Sequence, residues 1–186
     1  MWRNYLLVGM LMLSSLVLTT SADSQTDGVS VAGAVDKPGD WTIARLKSDL
    51  PKDVQQIEFT RHGQKHVATV APLLKVLEAA GIKTELKMGP TMAPTQKNYP
   101  LRLVVVVSGR DGYTATFSLA ELLPDFGNHA AWLEIDEDGK PVPPNYGPLS
   151  LLVPDDVKPG RWVHGVGVIT VLDASIAATQ PTAQGQ

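Results

Sequence analysis

Apolar and polar positions alternate along this chain in short runs, and most runs end at a glycine or proline. "VSVAGAV", from Val29 to Val35, has the period of two of a strand and stops at "DKPGD". Thr42 stands where a helix N-cap is needed, ahead of "IARLKS", and Pro51 ends that helix. "QQIEFTRHGQKHVATV" predicts two strands around a turn at His62-Gly63. In "APLLKVLEAAG", Leu73, Leu74, Leu77 and Ala80 share one helical face. Pro72 suits the first turn of that helix and Gly81 its left-handed stop.

"KMGPTMAPTQKNYP", from Lys87 to Pro100, has three prolines and no apolar period, which predicts a surface loop. Leu101 to Val107 is so continuously apolar that it predicts a central strand covered on both faces. Asp111-Gly112 supplies a turn, and Tyr113 to Phe117 the return strand. "SLAE", Ser118 to Glu121, has the spacing of a capping box, with Phe117 and Leu122 placed as a hydrophobic staple. "AWLEIDEDGKPV" predicts a strand turning at Asp138-Gly139, "GPLSLLVP" a short strand, and "RWVHGVGVITVLD" an imperfectly alternating last one. The sum is a single α+β domain of mixed short β-strands with two or three short helices.

The first residues change the picture of where the chain works. "MWRNY", an apolar stretch from Leu6 to Leu18 and a small residue at Ala22 have the order of a secretory signal peptide. The stretch is about 13 residues, short of the roughly 20 that span a bilayer. The division expected is 1–22 as signal peptide, 23–28 as flexible N-terminus, 29–173 as the folded domain and 174–186 as a disordered tail. Location in the periplasm or outside the cell follows, with membrane attachment only through an uncleaved signal. The chain has 16 Lys and Arg against 19 Asp and Glu, a formal charge of −3, and its basic residues are scattered. That pattern carries no footprint for nucleic acid. No cysteine occurs, so no thiolate is available as nucleophile or soft metal ligand.

The familiar catalytic signatures are missing: no G-x-S-x-G elbow, no phosphate-binding P-loop and no H-E-x-x-H. His62 and His66 are four apart, but Gly63 between them marks a hairpin, so they read as solvated strand-end histidines and no metal site is expected. "EIDEDG" matches the first half of a calcium loop at Glu134, Asp136 and Asp138. Asn145 stands where the closing carboxylate belongs, which leaves a charged hairpin tip. Lys158, Arg161 and His164 fall within seven residues where a loop meets a strand, and they are the candidate site for a small anionic ligand. Asp111 most simply serves its turn, and Tyr113 most simply packs its ring while its hydroxyl finds a partner.

Four segments in order resemble one family. "VSVAGAVDKPGDWTIARLKSDLP", "TVAPLLKVLEAAGI", "VVVSGRDGYTATFSLAEL" and "GKPVPPNYGPLSLLVPDDVKPGRWVHGVGVITV" are similar to successive parts of the oxidoreductase molybdopterin-binding domain, the catalytic fold of sulfite oxidases and related periplasmic reductases. The likeness spans roughly Val29 to Asp173. It implies a molybdopterin cofactor, with Arg161, His164 and Lys158 near the pterin phosphate and Asp111 and Tyr113 on one wall of the cleft. Catalytic members hold molybdenum through a cysteine on the strand after the first helix. Here that strand is "IEFTRHGQKHV", with Thr60, Arg61 and His62 near the expected place. The expectation is therefore an exported non-catalytic relative that binds a ligand or a periplasmic protein partner. The alternatives are a molybdopterin-dependent oxidoreductase that holds its cofactor without the cysteine, and an interaction module whose cleft is filled by side chains.

Overall fold

The computed structural model describes residues 27–93 and 96–178. The proposed signal peptide and the last eight residues of the expected tail lie outside them. The alternating runs form strands β1 (Gly28–Gly33), β2 (Gly39–Thr42), β3 (Gln55–Arg61), β4 (Gln64–Pro72), β5 (Leu103–Gly109), β6 (Thr114–Ser118), β7 (Trp132–Glu137), β8 (Lys140–Pro141), β9 (Ser150–Leu152) and β10 (Val166–Asp173). Among the described residues, α1 (Ile43–Asp49), α2 (Leu73–Ala79) and α3 (Leu119–Leu122) lie between strands, and α4 (Ala174–Ala178) follows β10. No helix among the described residues is long and apolar enough to cross a membrane.

One sheet has the order β2-β1-β10-β5-β6, in which β1 and β10 run parallel and the other pairs antiparallel. The second has the order β3-β4-β7, with β8 and β9 both pairing with β7. Val29, Val31, Val105, Val107, Phe117 and Ile169 of the first sheet meet Ala71, Leu133, Ile135 and Leu151 of the second in one core. Leu46, Leu77 and Leu119 close that core from helices α1, α2 and α3. Each such side chain contributes roughly 1.5–3 kcal/mol by leaving water.

Local chemistry behaves as its residues require at several ends. The Thr42 hydroxyl accepts the Arg45 amide at 3.1 Å, capping α1. Gly81 follows α2 with φ +85°, and His62 and Gly63 both take positive φ in the β3–β4 turn.

Three expectations are corrected, and one irregularity finds its cause. The Ser118 side chain makes no capping bond on α3, and the Glu121 carboxylate that would complete the box accepts from Arg161 Nη1 at 2.8 Å instead. The staple pair Phe117 and Leu122 is buried all the same. Strand β5 has neighbours on both sides, yet of its apolar side chains it buries only Leu103, Val105 and Val107. Val104 and Val106 keep partial exposure beside the exposed Val168 and Leu172 of β10. β-branched residues suit a pleated strand whether or not its second face is covered, so an apolar run overstates burial. In β10, a register shift between Val166 and Val168 turns Val166, Ile169 and Val171 inward and Val168 outward, which explains the broken alternation. The tail expected to be disordered from 174 begins as helix α4, where Asp173 Oδ1 accepts both the Ser175 amide and hydroxyl.

Two glycines separate crowding from conformation. Gly33 has φ +89°, and a Cβ there would lie 2.0 Å from the Val171 carbonyl oxygen across the parallel pair. Gly63 has φ +79° and nothing within 4 Å of its Cβ position. Gly33→Ala is expected to cost at least about 3 kcal/mol, or to prevent folding. Gly63→Ala is expected to cost only about 1–2 kcal/mol of left-handed strain. Urea unfolding of both variants measures the difference, and equal costs would contradict the packing of β1 on β10.

Candidate functional site

Strand β3 turns Ile57, Phe59 and Arg61 toward the same side, and the last of these inward positions carries a guanidinium. Arg61 is only 7% exposed. Its Nη1 donates to Glu137 Oε2, and its Nη2 donates to Glu134 Oε2 at 3.0 Å. Both glutamates lie on β7, beyond the intervening β4. The β4–β7 register shift between Thr69 and Val70 sets one extra residue, Ile135, into β7, so that Glu134 and Glu137 come to the same guanidinium. The Arg61 Cζ lies 4.5 Å from the Tyr146 ring centre, 4.9 Å from Phe59 and 6.0 Å from Trp162. Paired carboxylates and aromatic faces together compensate the removal of this charge from water. Glu134 is fully buried, and desolvation pushes its pKa up to about 7 against the opposing pull of Arg61.

Beside the clamp lies a cavity of about 150 Å³, lined by Thr60, Arg61, His62, Tyr146, Trp162 and His164 among others. The His164 and Tyr146 rings are 4.4 Å apart at their centres, and His62 Nε2 is 3.3 Å from the Tyr146 hydroxyl. Burial, and then the Arg61 charge, hold the His164 pKa below the ordinary histidine value, partly offset by Asp111. Two nitrogens of the lining residues, Arg61 Nε and His164 Nδ1, are buried without a hydrogen-bond partner. Orphaned polar atoms beside a cavity are what a bound acceptor would satisfy.

The loop from Pro159 to Gly165, which forms one wall, is braced on all sides. The Tyr113 hydroxyl donates to the Gly160 carbonyl at 2.7 Å, and Trp162 Nε1 donates to the Val153 carbonyl at 3.0 Å. The Gly165 amide donates to the Tyr146 carbonyl, and the Arg110 amide to the Gly165 carbonyl. Asp111 does what its turn requires, accepting the Tyr113 amide at 2.9 Å. Asp111 and Tyr113 therefore stand next to the cleft wall, the tyrosine as a brace.

The basic cluster is divided. His164 lines the cavity, but Arg161 and Lys158 do not. Arg161 Nε and Nη2 donate to the two oxygens of Asp156 at 2.8 and 2.6 Å, and Nη1 donates to Glu121. Its guanidinium also lies 4.7 Å from the Phe117 ring centre. Hydrogen bonds from Arg161 hold the Asp156 carboxyl below the usual carboxylate range. Lys158 is exposed. Of the arginines, it is Arg61 that lines the cavity, the residue noted in the sequence only as standing near the place of the missing cysteine.

Sequence reading put Glu134 in a charged hairpin tip, whereas it is fully buried, and it passed over Glu137 and Tyr146. A signal existed for the first: Glu134 interrupts the apolar run Trp132-Leu133-Ile135, and a carboxylate there needs a buried cation. His66 is not the solvated strand end expected, since its Nδ1 lies 3.0 Å from Glu137 Oε1 and 2.9 Å from Asp138 Oδ2.

These residues do not fit a molybdenum pterin. No sulfur donor stands on the strand that should supply one, and Arg61 fills the corresponding wall with its terminal donors already committed to glutamates. The cavity holds the volume of about five waters, below the roughly 300 Å³ at which small-molecule sites begin.

No protein-family model matches the chain, and no curated protein matches it. Among solved structures it is similar to the sulfane dehydrogenase SoxCD from Paracoccus pantotrophus, with a TM-score of 0.52 and 17% sequence identity. The match covers 81% of this chain and 39% of that one, so the chain spans well under half the length of its structural neighbour. At this identity the likeness establishes a shared mixed α+β fold, the class expected from the sequence.

Proposed function

We propose that the chain is an exported, non-catalytic relative of the molybdopterin-dependent oxidoreductases, and that it binds a compact anion in the cavity beside Arg61. The observation that carries the reading is the pair of buried, unpartnered nitrogens, Arg61 Nε and His164 Nδ1, on residues lining one small cavity. The missing thiolate argues against oxygen-atom transfer, because hydroxyl, guanidinium and imidazole groups do not replace a soft sulfur ligand on a high-valent metal. The remaining lining groups include the Tyr146 phenol, the Thr60 hydroxyl and the His62 imidazole, which can donate to an oxyanion.

Charge behind the wall tunes this pocket. Above the Glu134 pKa of about 7, two carboxylates face the single Arg61 charge; below it, one is neutral. An anion therefore binds more tightly as pH falls. The same group bears on stability. Its folded pKa, about 7, lies above the ordinary glutamate value of 4.5, so the folded chain holds a proton in that window that the unfolded chain has released. Stability from this site is greatest below the window and declines as pH rises through it.

Calorimetric titration of the mature protein with sulfate and with phosphate is expected to give saturable binding at pH 6 that weakens about tenfold by pH 8. His164→Ala is expected to lose about tenfold in affinity and Lys158→Ala to change it less than about twofold. Absence of saturable binding by either anion at pH 6 would sink the ligand reading. Thermal melts from pH 5 to pH 8 are expected to show a decline that flattens in Glu134→Gln; an unchanged slope would remove Glu134 from the account. Elemental analysis of protein exported by a cofactor-producing host is expected to find no stoichiometric molybdenum. Finding that metal with a bound pterin would establish the oxidoreductase alternative instead.

A further inference from the structure

The β4 strand and the β7–β8 turn bring a second constellation together on the far side of Glu137 from the cavity. His66 Nδ1, Glu137 Oε1 and Asp138 Oδ2 converge, and the three ligand atoms lie within 4.8 Å of one another. Each carboxylate is oriented from outside the group and offers its free oxygen inward. Glu137 Oε2 accepts from Arg61 Nη1, leaving Oε1 to the cluster. Asp138 Oδ1 accepts the Val67 amide at 2.9 Å, leaving Oδ2. The His66 ring is packed against Phe59, with centres 5.5 Å apart. Partners that fix a ligand's orientation and leave one donor atom open are what metal centres require of the groups around their ligands.

Two carboxylate oxygens, 3.0 and 2.9 Å away, face one imidazole nitrogen, and that nitrogen carries at most one hydrogen in either charge state. The two oxygens therefore compete for a single protein donor. Behind them Glu134, fully buried and with Oε1 unpartnered, adds a third carboxylate to a network in which Arg61 is the one cation held at every pH. The other nearby charge is Lys140, which acts on Asp138 from the exposed turn. A cation among the three ligand atoms satisfies them together.

We propose that His66, Glu137 and Asp138 form a binding site for a first-row divalent transition cation such as Zn²⁺. One imidazole and two carboxylates suit such an ion better than the all-oxygen sets of calcium and magnesium. The His66 and Glu137 side chains are 19% and 11% exposed and Asp138 is 51% exposed. The site is thus open on the turn side, where water completes the coordination. Because Glu137 bridges this site to Arg61, an ion here pulls on the same carboxylate that helps to hold the cavity wall.

Zinc titration of the metal-free mature protein by calorimetry tests this directly, with magnesium as the comparison ion. One saturable zinc equivalent is expected. His66→Ala and Asp138→Asn are each expected to weaken it about tenfold or more. Asparagine tolerates the positive φ of position 138 and keeps the oxygen that accepts the Val67 amide, so that variant isolates the lost ligand charge from any folding defect. His129→Ala, which alters a histidine elsewhere, is expected to leave zinc affinity unchanged. No saturable equivalent, equal affinity for magnesium, or zinc binding that survives Asp138→Asn intact would overturn the proposal. Sulfate binding at pH 6 can fail without affecting any of these outcomes.

Discussion

A single buried guanidinium organises this molecule. Arg61 ties the end of β3 to two glutamates on β7, across the strand between them, and presents its face to three aromatic rings. Burying one cation with two carboxylates is expensive in desolvation, and the aromatic walls and β7 geometry offset that cost only together. The surface pairs Arg45–Asp49 and Lys75–Glu78 stand in contrast, since screened and mobile partners contribute a fraction of a kcal/mol. Removing one partner of the Arg61 clamp would leave uncompensated charge inside, at a cost of about 3–5 kcal/mol.

A second ion cluster works at the other end of the same loop. Arg161 binds Asp156 and Glu121 and lies against Phe117, so the segment carrying Trp162 and His164 is anchored to α3 and β6. Tyr113 fastens it again through Gly160. The opposite wall is the end of β3 and its turn, with Thr60, Arg61 and His62. Arg161, a candidate ligand-binding arginine in the sequence, is held by Asp156 and Glu121, and Arg61, which stands near the place of the missing cysteine, lines the cavity.

Continuity of the polar network matters for how sites communicate. Asp138, His66, Glu137, Arg61 and Glu134 form an unbroken chain of contacts from the exposed β7–β8 turn to the buried side of the cavity. Networks of this kind respond as units, because each carboxylate oxygen committed to one neighbour is withdrawn from another. The proton on Glu134 and any charge at His66 therefore act on the same guanidinium.

Much of the fold was readable from local chemistry. Period-two alternation located most strands, Thr42 and Gly81 marked helix ends, and the His62-Gly63 and Asp138-Gly139 pairs marked turns, because each depends on residues a few positions apart. The absence of cysteine likewise ruled out a protein thiolate as ligand or nucleophile from composition alone. Tertiary structure decided which charges meet. Arg61 and Glu134 are separated by 73 positions, and Arg161 and Glu121 by 40, so no local spacing links them. Glu121 illustrates the reason: its local geometry suited a capping box, and a charge-assisted bond to a distant arginine outcompeted it.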